Sequence, residues 1–79
     1  MKTELMLDVI GMPCPMPLLK LKKLLAQHAG EALLVTMRVS DRGALKDVPA
    51  FCHQQGLAVK LLAEEADEIR FLIETEKRG

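Results

Sequence analysis

Polar and apolar positions alternate along residues 4–10, with Leu5, Leu7 and Val9 on one side and Glu4, Met6, Asp8 and Ile10 on the other. A period of two predicts a strand with one buried face. Gly11 ends the run and permits a sharp change of direction. The period then lengthens. Over residues 15–28, Leu18, Leu21, Leu24 and Leu25 fall on one side at helical spacing, Lys20, Lys23 and Gln27 on the other, and Lys22 at the boundary. Pro15 and Pro17 suit the first turn of this helix, whose leading N–H groups have no partner within it. Ala29-Gly30 stops it.

Alternation returns over residues 32–40, where Leu33, Val35, Met37 and Val39 share one face and Leu34, Thr36 and Arg38 the other. Ser40-Asp41-Arg42-Gly43 reads as a turn with two candidate caps for a second helix running to about Gln55. Leu45, Val48, Phe51 and Cys52 form its apolar side and Gly56 closes it. Pro49 predicts that the regular part starts near Asp47 or that the helix kinks. Two strands complete the chain: Leu57, Val59 and Leu61 face one way, as do Ile69, Phe71 and Ile73, with the acidic stretch 64–68 as a hairpin turn.

The order is β-α-β-α-β-β. Right-handed crossovers put both helices on one face of the sheet. The expected fold is an α/β (α+β) two-layer sandwich with a four-stranded sheet, one face covered and the other open. The open face carries Met6, Ile10, Leu34, Leu62 and Leu72 among Asp8, Thr36, Arg38, Lys60, Arg70 and Glu74. If contiguous, that apolar content marks a contact surface.

Length and charge narrow the function. The 79 residues make one domain, 1–79, with no repeat or linker. A chain of this size buries only about 60% of its unfolded surface, which favours a shallow site with one reactive group over a deep pocket. Lys plus Arg balance Asp plus Glu at 11 each, and there is no Trp or Tyr. Both facts argue against nucleic-acid binding, which relies on phosphate neutralisation and base stacking. The N-terminal residues lack signal-peptide features, and no apolar run nears the ~20 residues of a membrane span. A cytoplasmic protein is expected, with its cysteines reduced and not bridged.

The reactive candidate is Cys14, within Gly11-Met12-Pro13-Cys14-Pro15-Met16-Pro17. With Pro15 as the first helical residue, Cys14 is the N-cap, and the positive helix end favours its thiolate. Pro13, Pro15 and Pro17 stiffen the segment, so the thiol loses little freedom when a partner engages it. Lys20, Lys22 and Lys23 form either a solvated face or an electrostatic guide for a partner that also tunes Cys14. The plainer alternative is that Cys14 is a small buried apolar residue.

Residues 7–17, Leu-Asp-Val-Ile-Gly-Met-Pro-Cys-Pro-Met-Pro, resemble the signature of the TusA-like sulfur carrier family, with its Gly-x-x-Cys-Pro-x-Pro core. Asp47-Val48-Pro49-Ala50-Phe51-Cys52 is similar to the family's second-helix motif. The resemblance spans essentially the whole chain. It implies a βαβαββ fold with a mixed sheet, the last strand antiparallel to the others. It also implies that Cys14 accepts sulfane sulfur as a persulfide and relays it. The partners would be a cysteine desulfurase or other donor protein, and a downstream acceptor protein. The protein would be a carrier more than a stand-alone enzyme, with no cofactor of its own. Carriers serving tRNA thiolation often have a basic residue at Pro13, an acidic one at Met16 and a proline at Arg42. These departures leave the choice between tRNA thiolation and another sulfur-transfer pathway open.

Other candidates carry less. Cys52 reads as core, the sharper reading being a resolving thiol for Cys14. Cys14, His28, Cys52 and His53 lack a Cys-x-x-Cys pair, and His28 falls about 20 Å from Cys14 by helical rise, so no metal site is expected. His53 falls on the polar side of its helix, and Asp41 is expected to cap. The alternative function is a redox-sensing regulatory module without sulfur transfer.

Overall fold

The computed structural model describes residues 2–13 and 15–76. The elements are β1 (Thr3–Val9), α1 (Met16–Gln27), β2 (Leu33–Val39), α2 (Ala44–Gln55), β3 (Ala58–Glu64) and β4 (Ile69–Thr75), in the expected order. The strands lie in the order β1-β2-β4-β3. β1 and β2 are parallel, and β4 is antiparallel to both β2 and β3. The sheet is therefore mixed, with the last strand opposed to the rest. The crossover through α2 leaves a gap one strand wide, and the β3–β4 hairpin fills it.

Alternation sets the layers. Leu33, Val35, Met37 and Val39 of β2 and Ile69, Phe71 and Ile73 of β4 are buried on one face. Leu21 of α1 and Ala44, Val48, Phe51 and Cys52 of α2 join them in a single cluster, so both helices cover the same side of the sheet. Each large apolar side chain so buried contributes roughly 1.5–3 kcal/mol. The central strands carry most of the core. The outer strands β1 and β3 contribute half-buried residues such as Leu5, Leu7 and Val59.

Three local expectations change. First, α1 starts at Met16, and Pro15 is the N-cap with φ −97° and ψ 14°. The Pro15 carbonyl accepts the Leu19 N–H at 3.1 Å, as an N-cap carbonyl does. Cys14, expected as the cap, therefore comes one position earlier in the chain and lies outside the described residues. Second, α2 begins at Ala44, not near Asp47, and runs through Pro49. Its first turn is tight: the Ala44, Leu45 and Lys46 N–H groups donate to carbonyls three residues back, at 3.1–3.2 Å. Gly56 ends it in the left-handed region, where Leu57 N–H donates to Cys52 O and Gly56 N–H to His53 O. Third, Leu61 does not share the burial of Val59. The pairing of β3 with β4 shifts between Leu61 and Ala63, and Leu61 and Leu62 are both 46% exposed.

On the open face, Met6, Thr36, Leu72 and Lys60 stand side by side across the sheet. Met6, on the edge, is exposed, while Leu34 and Leu72 on the central strands are half-buried. An ion network crosses the end of this face nearest Ile10. Arg38 donates to Asp8 at 2.8 Å and to both oxygens of Glu68 at 2.9 and 3.2 Å, and Glu68 also accepts from Arg70 at 3.1 Å. These bonds hold the Glu68 carboxyl down at about 2, well below its ordinary 4.5.

Candidate functional site

The segment that carries Cys14 leaves the sheet at Val9, which pairs with Val39. Its backbone is tied down residue by residue. Ile10 N–H donates to Asp8 Oδ1 at 3.2 Å and Met12 N–H to Val9 O at 3.2 Å. Between them, Gly11 N–H reaches across to Ser40 Oγ at 2.7 Å. Gly11 has φ +85°, and a Cβ there would meet nothing within 4 Å. Glycine is thus required by the backbone conformation and not by lack of space. Beyond Cys14, Met16 N–H donates to Pro13 O at 2.9 Å, closing the turn into α1.

The four shaping residues divide into two roles. Gly11, Pro13 and Pro15 are exposed, whereas Pro17 is buried and anchors the helix start. Exposed apolar side chains flank the segment: Ile10, Met16 and Leu19. Farther along α1 the three lysines also part company. Lys22 Nζ sits 5.5 Å from the centroid of the Phe51 ring, a cation–π contact with α2. Lys20 is half-buried and Lys23 exposed. The helix sequence Met16–Gln27 contains no acidic residue, so its outer face is basic.

A crevice of about 10 Å³, room for about one water, lies between the starts of the two helices, lined by Pro17, Leu18, Asp41, Ala44, Asp47 and Val48. Gly43 is the N-cap of α2 and, among the described residues, no side chain caps the helix; Asp41, expected to cap, closes an Asx turn ahead of it, its Oδ1 accepting the Gly43 N–H at 2.9 Å. Ser40, the other cap candidate, turns instead toward Gly11. That role is invisible to local pattern, since the pair is 29 residues apart in sequence.

Cys52 is fully buried in α2, and burial pushes its thiol up to about 11. His53 is exposed, and His28 Nδ1 lies 3.0 Å from Glu31 Oε2. Among the described residues, no three His, Cys, Asp or Glu side chains converge to hold a metal ion. A larger cleft, about 310 Å³, opens at the far end of the sheet among Leu25, His28, Glu31, Leu57 and Thr75. It holds no cysteine. Among the described residues, no helix is long and apolar enough to cross a membrane.

The geometry is thus a short, proline-stiffened segment at the start of a basic helix, with one cysteine in it and one in the core. Comparison with known proteins bears on the family and the fold. A sulfur carrier protein TusA of Allochromatium vinosum is 40% identical over 68 residues, covering 85% of this chain and 87% of that one. A Neisseria meningitidis protein named as a sulfur carrier is 46% identical over 68 residues, covering 85% and 88%. The crystal structure of a SirA-like protein from Desulfitobacterium hafniense shares the fold at a TM-score of 0.81 and 22% identity, over 92% of this chain and 99% of that one. The family model described as sulfurtransferase TusA matches residues 5–75, and with these relatives it supports a sulfur carrier role: the chain belongs to the TusA family.

Proposed function

We propose that this protein accepts sulfane sulfur on Cys14 as a persulfide and relays it to an acceptor protein. One observation carries the reading. In a chain of the sulfur carrier family, Cys14 is flanked in sequence by two exposed prolines and directly precedes a basic helix. The positive helix end and the lysine field favour a thiolate there.

The exchange balances without an outside oxidant. The Cys14 thiolate attacks the outer sulfur of a donor persulfide. The donor S–S bond breaks, the donor leaves as a thiolate, and Cys14 becomes a persulfide. An acceptor thiolate then attacks the outer sulfur of Cys14, whose own thiolate is the leaving group. A cysteine desulfurase is the expected donor. The exposed Ile10, Met16 and Leu19 around the segment suit an apolar docking contact, and Lys20 and Lys23 suit an acidic rim on the partner. A reducing compartment such as the cytoplasm keeps the thiol available.

The test is intact-mass measurement after incubation with a cysteine desulfurase and free cysteine. A gain of one sulfur atom, absent in Cys14→Ser, supports the reading. No gain with several desulfurases, together with ready sulfenate formation under mild oxidant, would favour a redox sensor instead.

A further inference from the structure

We propose that Ser40 is a positioning residue for transfer at Cys14: its hydroxyl, by holding the Gly11 amide, fixes the segment that leads into Cys14 against the sheet for a partner protein. The inference rests on the reading of Cys14 just given. The prolines limit how the segment can be held, although the Pro13 and Pro15 carbonyls accept from Met16 and Leu19. Proline at 13 and 15 supplies no N–H, so neither residue can be held by backbone donation. Gly11 stands at φ +85°, with open space where a Cβ would be. Glycine has little steric restraint of its own, so hydrogen bonds hold it: its own and those of Ile10 and Met12 beside it.

Ser40 supplies that tie at 2.7 Å. The bonds of Ile10 and Met12 stay within two or three residues of themselves, whereas this one crosses to the β2–α2 turn. Ser40 is also well founded. Val39 before it is fully buried and paired with both Val9 and Ile69, and Asp41 after it is locked into the turn by Gly43 N–H. The hydroxyl therefore links the presenting segment to a rigid part of the sheet. A partner protein must meet the sulfur from a fixed direction, while a small reagent approaches from any side. Positioning should thus affect the first reaction and spare the second.

The test compares the full chain with Ser40→Ala, Ser40→Thr and Ile73→Val, the last a core truncation in β4 away from the segment. In Ser40→Ala, Gly11 amide exchange measured by NMR should quicken about tenfold. Persulfide transfer from a cysteine desulfurase should slow about tenfold, with iodoacetamide alkylation of Cys14 changed by less than about twofold at each pH. Ser40→Thr keeps the hydroxyl and should restore transfer, and Ile73→Val should transfer at the native rate. Native transfer in Ser40→Ala, equal slowing in Ile73→Val, or no rescue by threonine would overturn the proposal. If the native protein takes up no sulfur, the carrier reading fails and a different probe decides on Ser40. That probe is the attack of Cys14 on a mixed disulfide of a small folded protein with thionitrobenzoate, read by release of the coloured thiol. Slowing of about tenfold in Ser40→Ala upholds positioning, and equal rates overturn it.

Discussion

Cys52 lies on the inner side of α2 between Val48, Phe51 and the sheet, fully buried. Cys14 follows a strand end and precedes a helix, and its neighbours Pro13 and Pro15 are exposed. The two positions carry the same side chain, so the difference in expected chemistry comes from setting alone. Desolvation pushes the Cys52 thiol up to about 11, which leaves almost no thiolate at neutral pH. On the proposed reading Cys14 differs, because it directly precedes a helix that carries lysines and no acid, a setting that favours a thiolate.

The sharpest way to break that contrast is alkylation. At pH 8 the native protein should add one iodoacetamide, at Cys14, with Cys52 at least about 100-fold slower, and unfolding in denaturant should expose both. Comparable rates in the native state would erase the distinction. Next in size is the substitution of the core thiol. Cys52→Ser buries a hydroxyl among apolar neighbours and should cost about 2 kcal/mol in denaturant unfolding, while the folded protein still takes up sulfur. Loss of uptake in properly folded Cys52→Ser would make Cys52 a participant and not a wall of the core.

The helix that follows Cys14 offers a finer comparison. Exchanging Lys20 and Lys23 together for Gln should slow transfer from a donor by about fivefold at low salt and by little at high salt. Lys22→Gln should slow it less, because Lys22 is engaged with Phe51. Equal effects at all three positions would mean a uniform field and no split of roles.

The smallest effect concerns the ion network beside the segment. The Glu68 carboxyl titrates near 2 in the folded chain against an ordinary 4.5, so the unfolded chain binds more protons between those values. The stability this carboxylate supplies is complete above about 4.5 and is lost as pH falls toward 2. Thermal midpoints measured from pH 7 down to 3 should therefore fall less steeply in Glu68→Gln than in the native chain.

These contrasts also separate what the sequence discloses from what it hides. Alternation at Leu33, Val35, Met37 and Val39 placed the strand and its buried face correctly, because a period of two is a local property. The helix carrying Val48, Phe51 and Cys52 was legible for the same reason. The start of α1 was misplaced by one residue, since a proline serves as readily before the first turn as within it. Leu61 was misjudged because a bulge depends on the pairing with β4, which no single strand encodes. The contacts of Ser40 with Gly11, of Lys22 with Phe51, and of Arg38 with Glu68 were missed for one shared reason. Each joins residues far apart in sequence, and only the folded chain brings them together.

On the proposed reading, one of the two cysteines carries sulfur and the other does not. This is tested most directly by locating the added sulfur. The protein is incubated with a cysteine desulfurase and free cysteine, trapped with an alkylating reagent, digested, and mapped by peptide mass spectrometry. A persulfide is expected on the peptide containing Cys14, and an unmodified sulfur count on the peptide containing Cys52. A persulfide on Cys52, or on neither peptide, would contradict it.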